Sequence, residues 1–463
     1  MKAYGYSLLL SFIYMFPVIA SKIYYQDDVR RSLTNNAFTW LSEGRPLMAG
    51  IHYLLNFGTE IFNLAPLTQL IGVTILCYAG YLFMQKYFPD MPTYLKSFCI
   101  LSLIISPFYL ENLAYGFESI GFCISLAISI FMCCLWEKET LLKTFITFFV
   151  GTFAVLCIYQ ASIGAVLIVA MVALYLRPAE WKLCFIRILG AIVSVLTYML
   201  TVARSIEWET YHGMSASSYV FSIDVVLHRL DMFLKKYADL FFANSAVSIL
   251  FGLVLIACLI SIYFHINEVG KKYGWILLLP VVSFFTTVFP LCFLAHTLFI
   301  PRIFISFNIV CFFVMILLSQ LCMRFSLVKC LIALTTLWVF SFSCLFGGLL
   351  VAQNRYENYV VDCIFYDIGK LNIGKDVEYY YGGKPLICRE VKKASKKYKI
   401  FEDIANVSFR PDRVFWTNKV SQYLNYVIKK QPKTLEKQEY PILASHNLYY
   451  IAGDSKHVII WIK

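Results

Sequence analysis

Apolar runs of roughly 17–25 residues, each long enough to cross a bilayer, follow one another through the first three-quarters of this chain. Eleven are distinguishable, at 4–21, 66–85, 97–112, 118–136, 142–159, 161–177, 184–204, 245–265, 274–295, 302–323 and 328–351. A soluble domain carries about 45–50% apolar and about 25% charged residues. Here the figures are 60% and 15%. The 40 Phe and 32 Tyr suit lipid-facing helices with interfacial aromatic belts. The pattern excludes a soluble enzyme and predicts an all-α polytopic membrane protein with about eleven transmembrane helices over residues 1–351. Tight spacing between runs two and three, and five and six, leaves re-entrant pairs as the alternative. The first run is long and lacks a small-x-small cleavage site before the next charges, which predicts an uncleaved span.

Charge sets the sides. With the N-terminus inside, the inner loops hold Lys86 and Lys96; Lys138 and Lys143; Arg177, Lys182 and Arg187; Lys271 and Lys272; and Arg324 and Lys329. Every short inner loop then carries at least two basic residues, as the positive-inside rule requires. The net charge of +12 is thereby explained without a nucleic-acid partner. The outer segments are 22–65, 113–117, about 160, 205–244 and 296–301, followed by the tail 352–463. That tail is polar, with short alternating runs, a turn signal at Gly382-Gly383 and a strand-like end, "HVIIWIK". It predicts a small α+β domain on the outer face. Thirteen of the 15 Cys lie in the apolar part, where a thiol behaves as a small hydrophobe. Cys363 and Cys388 lie in the tail, where an oxidising compartment would let them pair. No zinc-type spacing is present.

Placing a charge at a helix centre costs about 2.5–3.5 kcal/mol, so "DDVRR" at 27–31 belongs at the interface just past the first span. Asp27 and Asp28 are neighbours and would not share a helix face. One can face a reaction centre while the other is held by Arg30 or Arg31. A partly desolvated carboxylate suits a general base, and a guanidinium grips phosphate with two prongs. The alternative is an ordinary charge cluster that ends the helix. The other outer segments also bring polar groups to this face: Glu43 and Arg45, Glu111 and Glu118, Tyr159 and Gln160, and His296 and Arg302. Between them, 46–57 has apolar residues Leu47, Ile51, Leu54 and Leu55 at helical spacing and is too short to span, which suits a helix lying along the membrane surface.

"YYQDDVRRSL", "WLSEGRPL", "ENLAYGFESI", "YQAS" and "PRIF", in that order, resemble the GtrII-type O-antigen glucosyltransferases. The chain departs from that pattern at Glu118, where an aspartate is expected, and near Gly116, where an arginine is expected. The resemblance implies a GT-C-like glycosyltransferase of the bacterial inner membrane, of the prophage-encoded, serotype-converting kind. It implies undecaprenyl-phosphate glucose as donor and a lipid-linked O-antigen sugar as acceptor, both on the periplasmic side. A flippase and a donor-synthesising glucosyltransferase would act in the same pathway, and membrane lipids would surround the chain.

The mechanism expected is an inverting displacement. Asp27 or Asp28 takes the acceptor proton, and Arg31, Arg45 or Arg302 neutralises the leaving lipid phosphate. Glu111, Glu118, Tyr159, Gln160 and His296 would orient the sugars. No cofactor and no obligatory metal are expected, with a metal held by Asp27 and Asp28 as the alternative. The rival classes are a secondary transporter or lipid flippase, and an O-antigen polymerase. Transporters favour midplane sites and paired halves, whereas these charges cluster on one face.

Overall fold

The computed structural model describes residues 1–206, 222–294, 299–371, 377–409, 428–430, 440–454 and 456–463. In chain order its helices are α1 (Lys2–Ala20), α2 (Asp27–Thr34), α3 (Pro46–Leu55), α4 (Leu67–Tyr87), α5 (Thr93–Leu101), α6 (Tyr109–Ala114), α7 (Ser119–Phe131), α8 (Leu141–Ile158) and α9 (Ile163–Leu176). They continue with α10 (Trp181–Leu200), α11 (Ile223–Phe241), α12 (Ser245–Val269), α13 (Leu279–Thr286), α14 (Phe307–Arg324), α15 (Val328–Lys370), α16 (Arg389–Lys397) and α17 (Ile400–Ile404). The strands are β1 (Glu378–Gly383), β2 (Ile428–Lys430), β3 (Ile442–Ser445), β4 (Tyr449–Gly453) and β5 (His457–Ile462).

Among the described residues, seven helical segments are long and apolar enough to cross a membrane: Lys2–Ala20, Leu67–Tyr87, Leu141–Ile158, Pro178–Ser205, Ser245–Val269, Pro301–Arg324 and Val328–Lys370. They correspond to seven of the eleven expected runs. The other four form shorter pieces, for local reasons. The run 97–112 is interrupted between α5 and α6 by the non-helical stretch 102–108, where Pro107 disfavours helix in the residue before it. The run 274–295 is split around Pro280 and Pro290 into α13 and flanking 3-10 turns. Runs 118–136 and 161–177 give α7 and α9, which are well buried and shorter than a full span.

Two compact units share the chain. The first comprises Met1–Ile19 and Asn36–Cys344; the second comprises Ala20–Asn35 and Leu345–Lys463. Against the expected boundary at 351, the division falls earlier, after Cys344, and residues 20–35 group with the tail. The reason is polar. The Tyr25 hydroxyl donates to the Ile404 carbonyl at 3.0 Å, and the Gln26 amide donates to Asn406 Oδ1 at 3.0 Å.

In the first unit, α8 and α10 pack closely where Gly190 lies against α8. A Cβ there would stand 2.9 Å from the Phe145 carbonyl oxygen, so only glycine permits the approach. The capping is conventional: Thr140 Oγ1 accepts the Lys143 amide at 3.3 Å, and Asn244 Oδ1 accepts the Val247 amide at 3.2 Å. The expected outer loop 205–244 contains a helix, α11, which buries Phe233, Tyr237 and Leu240 along one face; residues 207–221 of that loop lie outside the described residues. A helix is present at the expected 46–57 segment, as α3. Its Leu47 and Leu54 are exposed, while Met48, Ala49 and His52 are buried.

In the second unit the tail forms a five-stranded sheet in the order β2-β1-β5-β4-β3, with β1 parallel to β2 and β5 and the β3–β4–β5 edge antiparallel. Period-two alternation puts Tyr379, Tyr381, Ile451, Val458 and Ile460 in one core with Val360 and Ile364 of α15. Helix α15 has 43 residues and is continuous from the last apolar run into this domain. The Gly382-Gly383 signal falls at the end of β1. Gly383 has φ +105°, and a Cβ there would collide with the Ile462 carbonyl oxygen. The expected pairing of Cys363 with Cys388 is not found: both thiols are free. Cys388 instead precedes α16 and its Sγ accepts the Val391 amide at 3.5 Å, a capping role. Cys363 is half-buried on α15.

Candidate functional site

Within the first unit, residues from four separate loops converge at the Ile158 end of α8. The turn Ala37–Glu43 opens on Asn36, whose side chain accepts the Phe38 amide at 2.8 Å. It closes on Gly44, whose φ of +72° is a glycine conformation. Pro46 then starts α3 at its first position, where a missing N–H costs nothing. This sharp exit fixes Glu43 and Arg45. The Arg45 guanidinium lies 3.2 Å from Glu43 Oε2 and 3.5 Å from Glu118 Oε2, and its Nε donates to Gln160 Oε1 at 3.3 Å. It stands 5.1 Å above the Tyr159 ring, a cation–π distance. Arg45, Glu43 and Glu118 are all buried.

A second set adjoins the first through Tyr159. Its hydroxyl reaches the Arg302 carbonyl at 3.5 Å, and the Arg302 amide donates to Glu111 Oε2 at 2.6 Å. The Asn112 side chain donates to the same Arg302 carbonyl at 3.1 Å. The Arg302 guanidinium bonds the Tyr115 hydroxyl and lies 5.3 Å over that ring. Helix α4 holds the loop carrying these groups: Thr68 Oγ1 donates to the Gly116 carbonyl at 2.6 Å and Gln69 Nε2 to the Leu113 carbonyl at 3.0 Å. Burial pushes the Tyr159 phenol up to about 12, against the pull of the Arg302 and Arg45 guanidinium groups, so it stays a donor at neutral pH.

Seven of the residues singled out from the sequence, Glu43, Arg45, Glu111, Glu118, Tyr159, Gln160 and Arg302, therefore form one connected network. His296 lies outside the described residues. Four members are not among the residues the sequence singles out: Asn112, Tyr115, Tyr198 and Trp40. Tyr198, from within the apolar helix α10, donates to the Gly44 carbonyl at 2.8 Å and accepts Gln160 Nε2 at 2.8 Å. A hydroxyl inside a long apolar run was the available signal. The Trp40 indole donates to Glu118 Oε1 at 3.2 Å and stacks on His52 with centroids 4.3 Å apart. Trp40 stands at the head of "WLSEGRPL" but carries no charge to draw the eye.

The acidic doublet belongs to the second unit, in the first turn of α2, where unsatisfied helix amides attract negative charge. Asp27 is half-buried and Asp28 fully buried; Arg30 is exposed and Arg31 buried. The spacing of three puts Asp28 and Arg31 on the inner face and Asp27 and Arg30 on the outer one. Asp28 Oδ2 accepts the Tyr25 amide at 3.3 Å. The chain enters α2 through Gln26 at φ +41°, opposite Asn406 at φ +53°. Non-glycine residues seldom adopt this conformation, and each instance costs on the order of 1–3 kcal/mol. The Gln26–Asn406 hydrogen bond and the bond from Asn406 Nδ2 to the Tyr24 carbonyl at 3.2 Å hold both in place. Among the described residues no three His, Cys, Asp or Glu side chains gather as a metal-binding group.

Chemically, the first-unit network offers a guanidinium beside two carboxylates, an amide and a phenol over an aromatic floor. Such a set can bind an oxyanion and several hydroxyls at once. Comparison with known proteins adds the chemistry. Residues 16–323 match the family described as Glucosyl transferase GtrII. A protein of Salmonella phage P22, described as an uncharacterized 55.3 kDa protein in the gtrB 5' region, is 35% identical over 156 residues. That match covers 34% of this chain and 31% of the phage protein, so the chain spans about a third of that relative. No solved structure matches. The family match covers the acidic doublet and the whole first-unit network, and on it the chain belongs to the GtrII glucosyltransferase family.

Proposed function

We propose that this chain is an inner-membrane glucosyltransferase that moves glucose from undecaprenyl-phosphate glucose to a sugar of the lipid-linked O-antigen repeat, changing serotype. The observation that carries this reading is the family match over residues 16–323, which takes in every polar outer segment up to "PRIF". The N-terminus lies in the cytoplasm and the tail domain in the periplasm. The positive-inside distribution of Lys and Arg supports that orientation.

The reaction is a single inverting displacement. The acceptor hydroxyl gives its proton to a carboxylate of the doublet as its oxygen bonds the anomeric carbon. The bond from that carbon to the phosphate oxygen breaks, and the lipid phosphate departs with the electron pair. Asp27 is the base, being the more accessible carboxylate, and Asp28 sets the helix start through its bond to the Tyr25 amide. Arg45 or Arg302 neutralises the leaving phosphate, an effect on the order of 10²–10³ in rate for one well-placed donor. Arg31 supports the doublet, and Glu111, Glu118, Tyr159 and Gln160 orient the sugars. A flippase and a donor-synthesising enzyme supply the substrate on this side.

The test uses purified full chain with lipid-phosphate glucose and a lipid-linked acceptor. We expect one hexose added per repeat, Asp27→Asn to abolish transfer, and Asp28→Asn to weaken it. Near-normal turnover in both variants removes the doublet from the mechanism. Movement of the lipid without covalent product establishes a flippase instead, and a lengthened glycan establishes a polymerase.

A further inference from the structure

We propose that α16 is a contact surface for the anionic phospholipid headgroups of the bilayer into which α15 runs. Helix α16 reads "REVKKASKK", and its cations Arg389, Lys392, Lys393, Lys396 and Lys397 recur at the three- and four-residue spacing of one helix face. All five are exposed. The opposite face carries Val391, Ser395 and then Tyr398, which are buried. The fold of the tail thus uses one side of α16 and leaves the other as an ordered row of positive charge. Among the described residues no ion pair engages these five. The nearest acids in sequence are Glu390, Glu402 and Asp403, too few to neutralise the row.

A solvated basic face would account for the charge but not for its location. The apolar run of α15 gives way to polar sequence at Gln353-Asn354-Arg355. At that point the second unit attaches the start of α16. Gln353 Nε2 donates to the Leu386 carbonyl at 2.7 Å, and the Cys388 amide donates to Gln353 Oε1 at 3.0 Å. Phe401 of α17 stacks with Phe346, within the apolar run itself, at a centroid separation of 6.5 Å. Gln353 lies two residues past the end of the run at Val351, about 3 Å along the helix axis. The cationic row is therefore tied to the level at which α15 leaves the hydrocarbon. Polybasic segments there attract acidic headgroups through a field that salt screens. The inference does not depend on which sugar the protein transfers.

The experiment reconstitutes the full chain in vesicles of phosphatidylcholine alone or with phosphatidylglycerol and follows amide hydrogen exchange peptide by peptide. We expect exchange across 389–399 to slow at least about fivefold with phosphatidylglycerol, and the slowing to vanish between about 0.05 and about 0.5 M salt. It should also vanish when Lys392→Gln, Lys393→Gln, Lys396→Gln and Lys397→Gln are combined, since Gln keeps helix propensity close to that of Lys. Peptides from β5 report whether that variant stays folded; if it does not, the lipid and salt arms on the unmodified chain decide the matter. Equal exchange in the two vesicles, or slowing that survives in the folded variant, overturns the proposal. Equal slowing by inorganic phosphate added to neutral vesicles overturns the lipid as its source.

Discussion

The two ends of α8 carry the same kinds of side chain assembled in different ways. Before its first residue, Glu139 receives Lys86 at 2.8 Å on one oxygen and Arg187 at 2.6 Å on the other. The remaining Lys86 donors go to the carbonyls of Cys133 at 2.7 Å and Trp136 at 2.9 Å. An ammonium has three donors, and here all three are used at short range. Past its last residue, one guanidinium, that of Arg45, is shared among Glu43, Glu118 and Gln160 at 3.2–3.5 Å. The first arrangement is a clasp joining α4, the loop before α8, and α10. The second is a cation divided among longer contacts to two acids and an amide over an aromatic floor, which under the proposed mechanism an incoming phosphate would re-partner. On that mechanism, short saturated contacts serve stability and long divided ones serve binding.

Crossed substitutions give the largest effects and test that distinction directly. Arg187→Ala leaves Glu139 buried with half its partners, and breaking a buried pair costs about 3–5 kcal/mol. We expect a sharp fall in melting temperature in detergent, with transfer per folded molecule preserved. Arg45→Ala should do the reverse, lowering transfer by about 10²–10³ with little change in melting. Arg45→Lys should not restore activity, because a point charge cannot bridge three partners as a planar fork does. If Arg187→Ala lowers turnover and Arg45→Ala lowers stability, the comparison fails.

The sequence exposes what is local. Seven helices long and apolar enough to span, among the described residues, together with the α+β tail and the helix α3, follow from apolar run length and residue spacing. Prolines at 107, 280 and 290 lie where two of the other runs divide. What stays hidden is pairing between distant segments. Glu139 sits in a loop that read only as basic, and nothing in it announces Arg187, 48 residues on. Glu118, Gln160 and Arg302 flank apolar runs and Arg45 lies in the first outer segment, but their convergence is a property of the helix packing. Tyr198 offered one hydroxyl among apolar neighbours, and Trp40 none of the charge on which the reading relied. The grouping of residues 20–35 with the tail rests on Tyr25 and Gln26 meeting Ile404 and Asn406, nearly 380 residues away.

Acid sharpens the contrast at intermediate scale. Burial alone would raise the Glu139 carboxyl, but Arg187 and Lys86 outweigh it and hold the group below the usual glutamate range. A carboxyl depressed in the folded state stabilises above its unfolded pKa of about 4.3, and that stabilisation is lost as pH falls through the folded value. Melting temperature should therefore drop between about pH 5 and about pH 3. Glu139→Gln should start lower at neutral pH and lose less over the same range. A slope identical to the parent's would mean that the clasp contributes nothing to folding.

The smallest effect isolates positioning at the other end. Tyr198→Phe removes the donor to the Gly44 carbonyl and the acceptor for Gln160, while the ring keeps its edge-on contact with Phe153 at 6.4 Å. A net hydrogen bond is worth about 1 kcal/mol, so kcat should fall about fivefold as Arg45 loses its fixed approach. Melting should barely move, and KM for the acceptor should stay near its parent value. The counterpart at the clasp is Thr147, whose hydroxyl accepts the Trp136 indole at 2.9 Å. Thr147→Val removes a bond of similar strength and should leave kcat unchanged. Equal losses of kcat in the two variants would show that both ends of α8 act on the reaction through rigidity alone, and Tyr198 would then have no special claim to orient Arg45.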